Sequence, residues 1–266
     1  MSDPTLPILV TIPISHYCEK ARWALERAGI PYEERAHLPA LHRVAVRRAG
    51  GGPTAPVLRC PGGEVVDESA DIIAWVDARV EPERRVIPAD PALAAEARAL
   101  AGDYDSRLGP ATRLWVYHLL LDRPDLTTPA MTQGVPSWQR RSFRWTYRPI
   151  GFAVTKVLKI NPGTAADAER TFRAIFDDVD ARLSDGRRYL LGDRFSIADL
   201  TFAALASPLV APPEYSVPLP AVADLPARMA ATVREMRSRP AGAHALAMFR
   251  DERRPPVAAA AAAGAG

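Results

Sequence analysis

Cysteine is nearly absent: Cys18 and Cys60 are the only two in 266 residues. Two thiols cannot build a disulfide framework. With no further cysteine or histidine cluster beside them they make a poor ligand set, so no metal is expected. Lysine is scarcer still for its type, since only Lys20, Lys156 and Lys159 stand among 34 basic residues. The pI near 9.0 therefore partly reflects arginine's high pKa, and a net charge of +3 is too small to argue for nucleic acid. Long apolar runs are also missing. LLL at 119–121 and AALASPLVAPP from 203 are short or broken by proline, far from the roughly 20 residues that span a bilayer. The opening MSDPTLPILV lacks the basic stretch and apolar core of a secretion signal, which makes the cytoplasm the expected location.

What is present is ordinary for a globular chain: 48% hydrophobic and 24% charged residues, and enough length for two compact units. PILVTIPI at 7–14 is rich in β-branched residues and predicts a buried strand. From His16 to Ala28 the pattern turns helical, with Ala21, Ala24, Leu25 and Ala28 on one face and Gly29 as the stop. A short strand (PYEERAHL), a helix (LPALHRVAVRRA), a GGGP stretch and a hairpin around Pro61–Gly63 follow. DESADIIAWVDARV closes the unit as a helix with Ile72, Ile73 and Val76 inward. The order βαβ then ββα predicts a small mixed sheet. We place this unit at 1–82, a proline-rich linker at 83–91 and an all-helical unit at 92–250, with a low-complexity, disordered tail at 251–266. Expected helices in the second unit cover 92–107, 109–121, 138–159, 165–184, 197–209 and 223–238.

Several residues carry both a structural and a chemical reading. Ser15 precedes a helix and could be a plain N-cap, and Asp67-Glu68-Ser69 could be the same for the next helix. A helix start also binds anions through its free N–H groups. Pro56 opens a strand and could be cis or trans. Phe195-Ser196-Ile-Ala-Asp199 reads as a staple and capping box, with a role in folding only.

Three stretches together resemble the soluble glutathione S-transferases over roughly residues 7–240. SHYCEKARWALE at 15–26 is similar to the strand-to-helix segment of that family's serine and cysteine classes. APVL followed by DESADIIAWV resembles its Val-Pro-Val-Leu and Glu-Ser signatures, and FSIADL at 195–200 resembles its C-terminal capping box. The resemblance implies a thioredoxin-like α/β N-terminal domain followed by an all-α C-terminal domain. It implies a glutathione-dependent transferase, dimeric with a second copy of itself. Glutathione, or another low-molecular-weight thiol, would be the cofactor, and a small hydrophobic or aromatic electrophile the acceptor, conjugated or isomerised. It implies a cis bond at Pro56, so that the backbone of Ala55 pairs with the cofactor, and Glu68 and Ser69 on the γ-glutamyl group. His42 and Arg43 would meet the glycine carboxylate. Departures from the pattern are His16 for proline, Ala55 for valine, and the triple glycine.

Within the first stretch, Ser15 and Cys18 have C-x-x-C spacing with the first sulfur replaced, so a two-sulfur cycle is excluded there. Ser15 takes the exposed position as the catalytic residue, donating a hydrogen bond to the cofactor thiolate. Cys18 is expected to be structural, with thiol transferase chemistry through it as an alternative. His16 could contact substrate or face solvent, and we read it as facing solvent. The acceptor pocket is expected to draw on Tyr17, Tyr104, Arg107 and Trp115, with Arg113, Tyr117 and His118 nearby. The segment 126–166 contains no acidic residue yet includes WQRRSFRWTYR. It could clamp an anionic acceptor or, over 138–160, touch a membrane surface; we read it as a solvated basic face. The departures also leave a non-catalytic binding or scaffold protein as an alternative.

Overall fold

The computed structural model describes residues 5–253. Its first part holds β1 (Ile8–Thr11), α1 (His16–Ala28), β2 (Glu33–Ala36), α2 (His42–Ala49), β3 (Val57–Arg59), β4 (Val65–Asp67) and α3 (Ser69–Asp77). The sheet order is β2-β1-β3-β4, with β1 parallel to β2 and antiparallel to β3, and β3 antiparallel to β4. This is a thioredoxin-like unit. The central strand β1 is buried along its whole length, which is why its sequence is a continuous apolar run. Leu9 and Leu58 turn to one face and join the main core, while Ile8, Val10 and Val57 turn to the other and meet Val46 of α2. The strand ends at Thr11, earlier than the apolar run, because Pro13 has no N–H to continue a ladder. Gly29 ends α1 in the left-handed region (φ 72°).

The second part is helical: α4 (Pro91–Asp103), α5 (Gly109–Leu120), α6 (Pro124–Met131), α7 (Ser137–Val157), α8 (Pro162–Leu183), α9 (Ile197–Val210), α10 (Ala227–Ser238) and α11 (Pro240–Glu252). A π-type turn at Tyr104–Leu108 joins α4 to α5. Helix α9 is buried on nearly every side and forms the centre of this unit. At its start the Ser196 N–H donates to Asp199 Oδ2 at 2.9 Å, with Phe195 buried before it. Helices α6 and α11 were not expected from sequence. Each opens on a proline, Pro124 and Pro240, which reads as a breaker but fits the first helical position, where no N–H is needed.

The expected linker is stitched to both units. The Val86 N–H donates to Asp77 Oδ1 at 2.6 Å, and the Val86 carbonyl accepts from Ile197 N at 2.7 Å. The tail begins later than expected, since α11 runs to Glu252 and the Arg253 side chain, 5% exposed, is ion-paired to Glu19 and Glu26 of α1. The rest of that tail, 254–266, lies outside the described residues. Among the described residues no helix is long and apolar enough to cross a membrane, and none group as a metal site.

Candidate functional site

The turn Ile12–Ile14 delivers the chain from the buried β1 to Ser15, whose N–H donates to the Ile12 carbonyl at 3.1 Å. Ser15 is the N-cap of α1, with extended backbone (φ −70°, ψ 121°), and its Oγ accepts the Cys18 N–H at 3.4 Å. The cap fixes the hydroxyl at the helix start while leaving its proton unspent on the helix. One turn deeper Cys18 is fully buried, its Sγ beneath the Ile12 N–H at 3.4 Å. Burial pushes the Cys18 thiol up, against the pull of Arg22, so the sulfur is neutral and out of reach. The expectation of a structural thiol fits this burial; a nucleophilic Cys18 does not. Cys60, on the hairpin, is likewise buried, its thiol pushed up to about 11 by desolvation.

A cavity of about 400 Å³ opens between the two units at this helix start. From the first unit it is lined by Ser15, Tyr17, His42, Arg43, Thr54 and Ala55. Positions 113, 116, 117 and 120, one face of α5 at helical spacing, supply Arg113, Val116, Tyr117 and Leu120. Ile150 and Val154 of α7 add an apolar wall, so the acid-free segment contributes its far end to the site. The loop after α9 closes the other side with Tyr215 and Leu219, and the Tyr215 hydroxyl donates to the Ile14 carbonyl at 3.0 Å.

Two side chains of the first turn of α1 are docked onto α5. His16, expected at the surface, is 5% exposed, with Nε2 3.2 Å from the Gly109 carbonyl. Burial, helped by the nearby Arg113 charge, lowers its pKa to about 3, so the ring is neutral. Tyr17 donates to the Asp105 carbonyl at 2.7 Å, and burial raises its hydroxyl to about 12. Its ring lies so close to Gly109 that a Cβ there would stand 2.2 Å from the Tyr17 oxygen. Glycine at 109 is thus what lets the first turn of α1 meet α5. Lys20 completes the contact, fully buried and 2.5 and 2.7 Å from the two carboxylate oxygens of Asp105.

The remaining expected residues divide. Ala55–Pro56 is a cis peptide, and Ala55 lines the cavity. Glu68 and Ser69 are not among the lining residues. Glu68 caps α3 at φ 66°, ψ 143°, a region costly for a residue with a Cβ, and its Oε1 accepts from the cavity-lining Thr54 at 2.9 Å. Ser69 is buried at the first turn of α3. His42 is half-buried and Arg43 exposed; burial, then the Arg43 charge, lowers the His42 pKa.

Three acceptor-pocket expectations need correction. Tyr104 is buried against Phe202, Trp115 is buried edge-on to Phe172, and Arg107 points to the surface where it pairs with Asp103 at 3.0 Å. The π-type turn rotates less per residue than an α-helix, so a face read along α4 at the α-helical period does not carry into α5. Arg113 and Tyr117 occupy the places assigned to Arg107 and Trp115. Thr54 and Tyr215 were not singled out by sequence reading; Thr54, beside the GGGP stretch, is the one with a local signal.

Two family descriptions match the chain: "Glutathione S-transferase, N-terminal domain" over residues 9–84 and "Glutathione S-transferase, C-terminal domain" over residues 162–259. No curated protein matches the sequence. Solved structures with a similar fold include a glutathione S-transferase from Ceriporiopsis subvermispora in complex with glutathione, at 21% identity over 96% of this chain and 100% of that one, with TM-score 0.60. Another is from Sinorhizobium meliloti, at 21% identity over 96% and 97% of the two chains, TM-score 0.57. A third, from Methylobacterium radiotolerans in complex with glutathione sulfonate, has 22% identity over 91% and 95%, TM-score 0.52. At these identities the likeness is one of fold. With both domain descriptions matched in order, the chain belongs to the glutathione S-transferase family.

Proposed function

We propose that the protein is a glutathione-dependent transferase in which Ser15 stabilises the thiolate of bound glutathione for attack on, or isomerisation of, a small hydrophobic electrophile. The observation that carries this reading is a serine hydroxyl held at a helix start and bordering a largely apolar cavity. Its oxygen is engaged by the helix as an acceptor, and the acceptor at hand for its proton is the neutral Cys18 thiol, a weak one. A thiolate in the cavity would outcompete it.

Lowering a thiol pKa from about 8.5 by two units needs roughly 2.7 kcal/mol of preference for the anion. One charge-assisted hydrogen bond contributes about 1.5–3 kcal/mol, and a helix N-terminus roughly 0.3–1. Ser15 and the first turn of α1 are therefore sufficient without a charged base, and the neutral His16 does not act as one. The peptide portion of glutathione would lie along Ala55, with its γ-glutamyl end toward Glu68 and Ser69 beyond Thr54 and its glycine carboxylate toward His42 and Arg43. The fully buried Cys18 leaves no sulfur for thiol transfer at this site. We further propose a cytoplasmic homodimer.

The test is retention on immobilised glutathione, followed by turnover of a chloronitroaromatic with wild type and Ser15→Ala, with other low-molecular-weight thiols tried in parallel. Retention and turnover in wild type, with kcat/KM reduced about 100-fold in Ser15→Ala, support the reading. Retention without turnover favours a binding protein, and neither with any thiol overturns it.

A further inference from the structure

Arg113 is anomalous among the arginines near it. Arg107 pairs with Asp103 at 3.0 Å and Arg123 with Asp125 at 2.6 Å, both at the surface where pairing matters least. Arg113 is half-buried on the cavity-lining face of α5, its Nε is shielded from solvent without a hydrogen-bond partner, and no carboxylate among the described residues pairs with it. None of the residues lining the cavity is aspartate or glutamate. Its nearest chemical company is aromatic: the guanidinium carbon is 6.0 Å from the centre of the Tyr17 ring, and Tyr117 lies one turn along the same face.

A guanidinium partly withdrawn from water and left without an anion is costly, and a buried cation is normally matched. Neither nearby ring supplies the match. The Tyr17 hydroxyl is committed to the Asp105 carbonyl, and burial keeps the Tyr117 hydroxyl protonated, a donor rather than an anion. The surrounding surface of Val116, Leu120, Ile150 and Val154 is apolar. The site thus offers one cation with planar, forked donors at the edge of a greasy slot, the arrangement that suits a carboxylate on a hydrophobic skeleton. Arg43 is the other arginine of the lining, but it lies on α2 and is exposed.

We infer that Arg113 makes the acceptor pocket selective for hydrophobic electrophiles that carry a carboxylate, binding that group while the carbon skeleton lies against Val116, Leu120 and Ile150. The assignment of this cavity as the acceptor pocket rests on the transferase reading above; the preference of the cavity for an anion does not.

The experiment compares 4-chloro-3-nitrobenzoate with its neutral amide, 4-chloro-3-nitrobenzamide, in wild type, Arg113→Lys and Arg113→Met. Dissociation constants are measured calorimetrically without any thiol, and kcat/KM with glutathione. Loss of one charge-assisted contact corresponds to roughly a 10- to 100-fold effect. Wild type should favour the carboxylate over the amide by at least tenfold in binding. Arg113→Met should erase that ratio and Arg113→Lys retain part of it, with thermal melts verifying that each variant is folded. An absent preference in wild type, or an undiminished one in folded Arg113→Met, overturns the inference. Selective binding without turnover with any thiol would sustain the anion site and instead overturn the transferase reading.

Discussion

Helix α1 meets two arginines reached from far along the chain, one along its body and one at its start, and they are opposites. Along the body, Arg253 meets Glu19 at 2.9 Å and Glu26 closely, and Arg22 meets Glu34 at 2.7 Å. At the start, Arg113 stands unmatched beside a cavity and the Ser15 hydroxyl has a weak acceptor, the neutral Cys18 thiol, for its proton. The matched body fixes the helix; the unmatched start is where a ligand can be recognised. Burial alone does not distinguish the two, because Cys18, His16 and Glu19 are all buried. The difference lies in whether each polar group already has its partner.

The strongest way to break the contrast is Arg253→Ala. Removing one member of a buried pair leaves uncompensated charge and costs about 3–5 kcal/mol. Urea denaturation should show a loss of that order, partly recovered by adding Glu26→Gln, whose carboxyl burial already pushes up. Ser15→Ala should do the reverse, lowering kcat/KM about 100-fold, or ~2.7 kcal/mol of barrier, while the lost cap costs only ~1 kcal/mol of stability. If its stability loss exceeds that of Arg253→Ala, the division of labour along α1 is wrong.

Gly109→Ala probes the seam at the helix start, where the new Cβ would meet the Tyr17 ring. We expect a loss of about 1–3 kcal/mol, less than additive with Tyr17→Ala. The last effect is one of slope. His16 has its folded pKa lowered from 6.5 to about 3, so between those values the unfolded chain holds a proton that the native state lacks. Stability contributed by the neutral ring is full above pH 6.5 and falls by about 1.4 kcal/mol per unit as pH drops toward 3. His16→Gln should flatten stability against pH in that window.

Much of this was legible in the sequence. The βαβ-ββα order followed from runs of β-branched residues and glycine stops, because local periodicity and backbone conformation decide such elements. The Ser196–Asp199 cap and the Ser15 helix start could be read for the same reason. What could not be read was which side of α5 faces the cavity. Tyr104, Trp115 and Tyr117 are equally aromatic on paper, and the distant rings of Phe202 and Phe172, against which Tyr104 and Trp115 pack, set which of them are core. His16 and Arg253 were misjudged for a related reason. Both look like surface residues, and their burial depends on partners about 93 and 234 positions away, at Gly109 and Glu19.

The contact between Arg253 and Glu19 also has a place in time. Helix α1 leaves the ribosome before its partner arginine, which is added 234 residues after Glu19. At roughly 5–20 residues per second that interval is on the order of ten seconds or more. Throughout it, Glu19 has water or the neighbouring Arg22 and Glu26 has water or Tyr32 as company, and the helix that carries Ser15 lacks its final anchor. A nascent chain that stalls before residue 253 would therefore present a sheet already able to form, joined to a helix that is not yet held in place.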